Sequence, residues 1–112
     1  MTGVHSRAPG PGEYPDELEI EPLSAPVDAL VRVPGSKSIT NRAVLIAALA
    51  RGDSTLAGCL ESDDTQAMRE ALRALGVAIE VDGETWQVRG ANGLLRAPAA
   101  PLDARASGTT AR

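Results

Sequence analysis

The sequence runs to 112 residues with a net charge of −4, and Tyr14 and Trp86 are its only aromatic side chains. That length suits one small domain, and a mildly acidic chain with so few rings lacks both the basic face and the stacking platform of a nucleic-acid binder. Cys59 is the single cysteine, which leaves no internal disulfide and fits a reducing cytoplasm; no apolar run approaches membrane-spanning length, and the N-terminus has no signal-peptide apolar core.

In chain order, residues 1–17 are rich in Pro and Gly without periodicity and read as a disordered leader. His5 and Arg7 there read as solvated. Leu18-Glu19-Ile20-Glu21-Pro22-Leu23 alternates as a short edge strand would, with Pro22 and Pro26 leading into a turn. Ala29-Leu30-Val31-Arg32-Val33 alternates too and predicts a strand. Then comes Pro34-Gly35-Ser36-Lys37-Ser38-Ile39-Thr40-Asn41-Arg42, followed by Ala43-Val44-Leu45-Ile46-Ala47-Ala48-Leu49-Ala50. This second run predicts a helix over about 38–50, apolar almost all round and therefore buried, with Gly52 as its stop. Ser38 and Arg42 share one helix face, as do Lys37 and Asn41. Because helical side chains lean toward the N-terminus, Arg42 reaches back past Ser38. Free backbone N–H groups, the helix dipole, a hydroxyl and two cations then converge, which makes an anion site. A turn and N-cap flanked by solvated charges is the plainer reading; a buried helix opening with two cations favours a ligand. A nucleotide-binding P-loop is excluded, because Ser36 separates Gly35 from Lys37 and no glycine lies five residues before Gly35.

Ser54–Cys59 predicts a short strand, with Cys59 as a small buried hydrophobe. No histidine outside the leader is present to activate that thiol. Asp63 and Gln66 form a D-x-x-Q capping-box pattern. The helix they open buries Met68, Ala71, Leu72 and Leu75, leaves Arg69, Glu70 and Arg73 wet, and ends at Gly76. Asp63 and Asp64 complement a helix N-terminus and have no third ligand nearby, so no metal site is expected. Val77, Ile79 and Val81 alternate, Asp82-Gly83 signals a hairpin, and Trp86 and Val88 pack from the return strand. Residues 90–101 read as loop, and Leu102–Arg105 as a further strand candidate. Ser107-Gly108-Thr109-Thr110 opens another helix, in whose first turn the sequence stops; so short a helix cannot stabilise itself, and a truncated chain is expected. The order β-α-β-α-β-β defines a mixed α/β class.

Three stretches together resemble the EPSP synthase (3-phosphoshikimate 1-carboxyvinyltransferase) family: Pro34-Gly35-Ser36-Lys37-Ser38-x-x-Asn41-Arg42; Glu61-Ser62-Asp63-Asp64-Thr65 with Ala71-Leu72-x-x-Leu75-Gly76-Val77; and Ser107-Gly108-Thr109-Thr110-x-Arg112. The resemblance covers about residues 18–112 and marks them as the N-terminal portion of an enolpyruvyl transferase domain. It implies the enolpyruvyl transferase fold, two similar domains of repeated β-α-β-α-β-β units, truncated here. It also implies transfer of the enolpyruvyl group of phosphoenolpyruvate to the 5-hydroxyl of shikimate 3-phosphate, with release of phosphate, in chorismate and aromatic amino acid biosynthesis. On this resemblance the whole enzyme is cytoplasmic, monomeric when complete, and uses no metal or organic cofactor.

Residue by residue, the resemblance gives Lys37 a catalytic place in contact with both substrates. It assigns Ser38 and Arg42 to shikimate 3-phosphate, Gly108 to close backbone approach of phosphoenolpyruvate, and Thr109 to a place beside it. Arg112 matches a family arginine without an assigned contact. Many relatives carry Asn where this chain has Ala106, so a hydrogen bond supplied there is missing or replaced. The family's later acidic, lysine and arginine residues lie beyond Arg112, and the 112-residue chain alone is expected to be inactive. Two alternatives stand beside this reading: the sister UDP-N-acetylglucosamine 1-carboxyvinyltransferase, whose lysine motif is of Gly-Ala-Lys-Asn type, and a non-catalytic anion-binding module.

Overall fold

The computed structural model describes residues 11–112, and the chain forms two units, Met1–Val31 and Arg32–Arg112. In the first unit, residues 11–31 contain neither helix nor strand. The expected leader lies partly outside the described residues, as do His5 and Arg7. The strand expected over 18–23 does not form, and neither does the one over 29–33. Alternation licenses a strand only where a neighbour completes its hydrogen-bond ladder, and no described strand pairs with either segment. Leu18, Ile20, Leu30, Val31 and Val33 are accordingly exposed.

The second unit holds α1 (Lys37–Leu49), β1 (Asp53–Leu56), α2 (Asp63–Ala74), β2 (Ala78–Asp82), β3 (Thr85–Arg89) and α3 (Gly108–Ala111). The mixed α/β class stands, with the leading strand of the expected unit absent. The sheet has order β1-β3-β2, and β3 pairs antiparallel with both neighbours. Register sets its two faces. Ile79 lies opposite Val88 and Val81 opposite Trp86, with Ser54 and Leu56 on the far side of β3. Ile79, Val88 and Trp86 are buried, whereas Thr55, Glu80, Gln87 and Arg89 are exposed. The helices cover the first face only. The hairpin turns at Gly83-Glu84, one residue later than the Asp82-Gly83 signal, because Asp82 pairs with Thr85 and Gly83 takes a φ of 58° at the first loop position.

Helix α1 buries Val44, Ala47 and Ala48 but leaves Ile46 69% exposed, with Ile39, Leu45 and Leu49 also open. It was expected to be covered on every side. The sheet, α2 and α3 pack against part of its surface, and among the described residues the other apolar stripe stays exposed. Helix α2 is capped by Ser62, not Asp63. The Ser62 hydroxyl accepts from the Thr65 N–H at 3.3 Å and Thr65 Oγ1 accepts from the Ser62 N–H at 2.9 Å. The box is therefore shifted one residue from the D-x-x-Q pattern. Gly76, with φ 95°, closes the helix: its N–H reaches the Arg73 carbonyl, and the Val77 N–H reaches that of Leu72. Those are the paired bonds of a Schellman stop.

Core and surface differ from the helical wheel in α2. Met68 and Leu72 are buried as expected, Ala67 joins them, and Ala71 and Leu75 are half-buried. Arg69 is not on the wet face. Its side chain is 11% exposed and lies 4.8 Å from the Trp86 ring centroid, while its fork donates to both Glu61 oxygens at 2.7 and 2.8 Å. Arg73 turns its guanidinium onto the Ile79 carbonyl. Long arginine stems cover apolar surface while the head finds acceptors. Cys59 is buried, and burial followed by the nearby Glu61 charge pushes its thiol above the ordinary range. Residues 102–105 form no strand; Ser107 N–H bonds back to Ala104 in a turn.

Candidate active site

The Gly35 loop seats the start of α1. A Cβ on Gly35 would stand 2.1 Å from the Gly58 carbonyl oxygen, so only glycine permits this approach. Thr40, one turn into the helix, accepts from the Leu60 N–H at 3.0 Å, and the same strand-to-helix connection is held at both places. Ser36 is the N-cap, its hydroxyl accepting from the Ile39 N–H at 3.3 Å. In the sequence Gly35 signals only a turn. Its close approach has no local signal, because the carbonyl it meets comes from 23 positions later.

Lys37 opens α1, and its ammonium lies 2.5 Å from Asp64 Oδ2, with Lys37 half exposed and Asp64 mostly covered. Asp64 thus does more than complement the start of α2: it fixes the ammonium at the mouth of α1. An ammonium carries three N–H donors, so this contact leaves two for a ligand. Ser38 and Arg42 are exposed, and neither side chain forms a hydrogen bond or ion pair among the described residues. Arg42 therefore presents its full fork, a geometry matched to carboxylate or phosphate. Asn41 behaves differently. It is fully buried, and neither end of its amide has a partner among the described residues.

The third motif arrives at the same place. Ser107 caps α3, accepting from the Thr110 N–H at 3.2 Å. Thr110 Oγ1 lies 3.4 Å from the Asp64 carbonyl. Helix α3 packs on both α1 and α2. Asp64 is thus the hub: its carboxylate holds Lys37 and its carbonyl meets the first turn of α3. Gly108 and Thr109 face outward on that turn. The nearest atom to a Cβ built on Gly108 is the Arg112 guanidinium, 3.8 Å away. Nothing among the described residues forbids a side chain there. Asp63, expected to cap α2 and favour its dipole, instead pairs with Arg105 at 2.6 Å.

The family model for EPSP synthase (3-phosphoshikimate 1-carboxyvinyltransferase) matches residues 23–112. The chain belongs to the EPSP synthase family. Among its EPSP synthase relatives, the 3-phosphoshikimate 1-carboxyvinyltransferase of Rhizobium etli is 49% identical over 96 residues, 86% of this chain and 23% of the relative. That of Nostoc punctiforme is 46% identical over 99 residues, 87% of this chain and again 23% of the relative. The solved EPSP synthase from Acinetobacter baumannii superposes with a TM-score of 0.69 at 35% identity, covering 72% of this chain and 19% of that one. The chain therefore spans less than a quarter of the length of these EPSP synthase relatives. All three helix starts that meet at Asp64 fall inside the matched segment.

Proposed function

We propose that this chain supplies the shikimate 3-phosphate subsite, and one edge of the phosphoenolpyruvate subsite, of an enzyme that transfers the enolpyruvyl group between them. The observation that carries the reading is the contrast at the start of α1. Lys37 is held in place by Asp64, while the Ser38 and Arg42 side chains are exposed without partners among the described residues. Two cations, a hydroxyl and an open helix N-terminus suit a ligand bearing both a carboxylate and a phosphate. Arg42 takes a carboxylate or phosphate in two parallel bonds, and Ser38 donates from the same face. The two remaining donors on Lys37 span the anionic groups of two ligands and offset their mutual repulsion. Gly108, lacking a Cβ, lets a small phosphorylated acid lie against the α3 backbone, with Thr109 beside it.

As phosphoenolpyruvate adds to the 5-hydroxyl, negative charge remains concentrated between the two ligands, and a fixed ammonium stabilises it without reorganising. The acid–base groups that move protons are assigned to the remainder of the full-length protein, so the 112-residue chain alone is expected to be silent. The same reading places the complete enzyme in the cytoplasm as a monomer. A buried, unpaired Cys59 suits that compartment.

The test is phosphate release by the full-length protein that carries this segment, with phosphoenolpyruvate and each of two acceptors. Release dependent on shikimate 3-phosphate is expected. Turnover with UDP-N-acetylglucosamine instead assigns the chain to the sister reaction. Binding of anions without turnover on either acceptor leaves a non-catalytic module.

A further inference from the structure

The third motif is preceded by Ala106, whose methyl group can make no hydrogen bond, yet the segment around it is firmly tied. Arg105 has a φ of 51°, in a turn closed by Ser107 N–H donating to the Ala104 carbonyl at 3.0 Å. Its own N–H donates to Asp103 Oδ1 at 2.8 Å. A positive φ at the first centre of a turn belongs to glycine, and a branched or long residue holds it only where its surroundings insist. Here the guanidinium does the insisting. Nη1 donates to Asp63 Oδ1 at 2.6 Å and lies 3.4 Å from Gln66 Oε1, and Nη2 donates to Glu70 Oε2 at 2.7 Å. Residues 63, 66 and 70 form one stripe along α2. A single planar fork therefore grips two turns of the helix whose first turn also holds Lys37.

We infer that Arg105 is a positioning residue, the anchor that ties the turn before Ser107 to α2. It fixes the register of Ser107, Gly108 and Thr109 against α2, and through Asp64 against Lys37. Its effect on catalysis rests on the functional reading above, in which Gly108 and Thr109 border phosphoenolpyruvate; its effect on the segment does not.

The experiment uses the full-length protein and compares wild type with Arg105→Ala and Arg105→Gly, by amide hydrogen exchange and by steady-state kinetics. Arg105→Gly relieves the backbone while removing the fork, so it separates turn strain from anchoring. Faster exchange confined to residues 106–111 is expected in both variants. The KM for phosphoenolpyruvate should rise several-fold, with kcat and the KM for shikimate 3-phosphate near wild type. The charge exchange Asp63→Arg with Arg105→Asp should restore part of the protection. Faster exchange with an unchanged KM for phosphoenolpyruvate supports the anchor and refutes the placing of that substrate at Gly108. Unchanged exchange in Arg105→Ala, wild-type behaviour of Arg105→Gly, or acceleration spread evenly over the protein would each overturn the inference.

Discussion

The first turns of α1 and α2 are built from similar materials and finished in opposite ways. In α2, Ser62 and Thr65 cap each other, Asp63 meets Arg105, and Glu61 before the helix holds Arg69. Every charged group there is answered from within the chain. In α1 the cap is equally regular, and Lys37 is answered by Asp64, yet Ser38 and Arg42 are left open. On the proposed reading, the open start is the one that receives the ligand. Framework and site are thus distinguished by what the chain itself has already paired.

Breaking the open start should cost activity and spare the fold. Lys37→Ala in the full-length protein is expected to lower turnover by roughly a hundredfold or more, since a charge-assisted contact at a developing charge is worth several kcal/mol. Its melting temperature should barely move, because Lys37 is half exposed. Steady-state kinetics beside a thermal melt reads both. Unaltered turnover would remove Lys37 from the site.

Breaking the seat should do the reverse. Gly35→Ala forces a methyl onto the Gly58 carbonyl and is expected to cost about 1–3 kcal/mol of stability, the usual penalty for overpacking. Denaturant unfolding measures it. Ser62→Ala removes the α2 cap and should cost about 1 kcal/mol, with substrate KM values unchanged, because the Ser62 hydroxyl bonds Thr65 and touches neither Asp64 nor Lys37.

These places also show what the sequence made legible. The helix periods, the Gly76 stop, the buried Trp86 and the hairpin were readable because each is a local pattern of a few residues. The alternation at 18–23 and 29–33 misled, because a strand also requires a partner that no local pattern supplies. The capping box was misplaced by one residue since Ser62–Thr65 and Asp63–Gln66 both fit the motif, and only the geometry chooses. Arg69 was read as wet because a helical wheel places the Cβ, not the end of a long side chain that folds over Trp86. The pairs Lys37–Asp64 and Arg105–Asp63 join residues far apart in the chain, so no spacing rule announces them.

The smallest expected effect is on acid stability. The hydrogen bonds from Arg69 hold the Glu61 carboxyl below its usual range, with partial burial opposing them. A depressed folded-state value means that this stabilisation is complete above the ordinary carboxylate range, about pH 4.3, and fades as pH falls through the depressed value. The difference in melting temperature between wild type and Arg69→Ala should therefore narrow as pH is lowered from neutral toward strong acid. A gap that stays constant would show that Arg69 acts through packing on Trp86 alone.

On the proposed reading, Arg42, whose side chain has no partner among the described residues, holds shikimate 3-phosphate. Calorimetric titration of that ligand into the full-length protein tests it most directly, comparing Arg42→Ala with Arg89→Ala, an arginine on the open face of the sheet opposite Asp53. The expected result is a loss of affinity of about tenfold or more for Arg42→Ala, the cost of one charged contact, and wild-type affinity for Arg89→Ala. Equal affinities in all three proteins would contradict the claim.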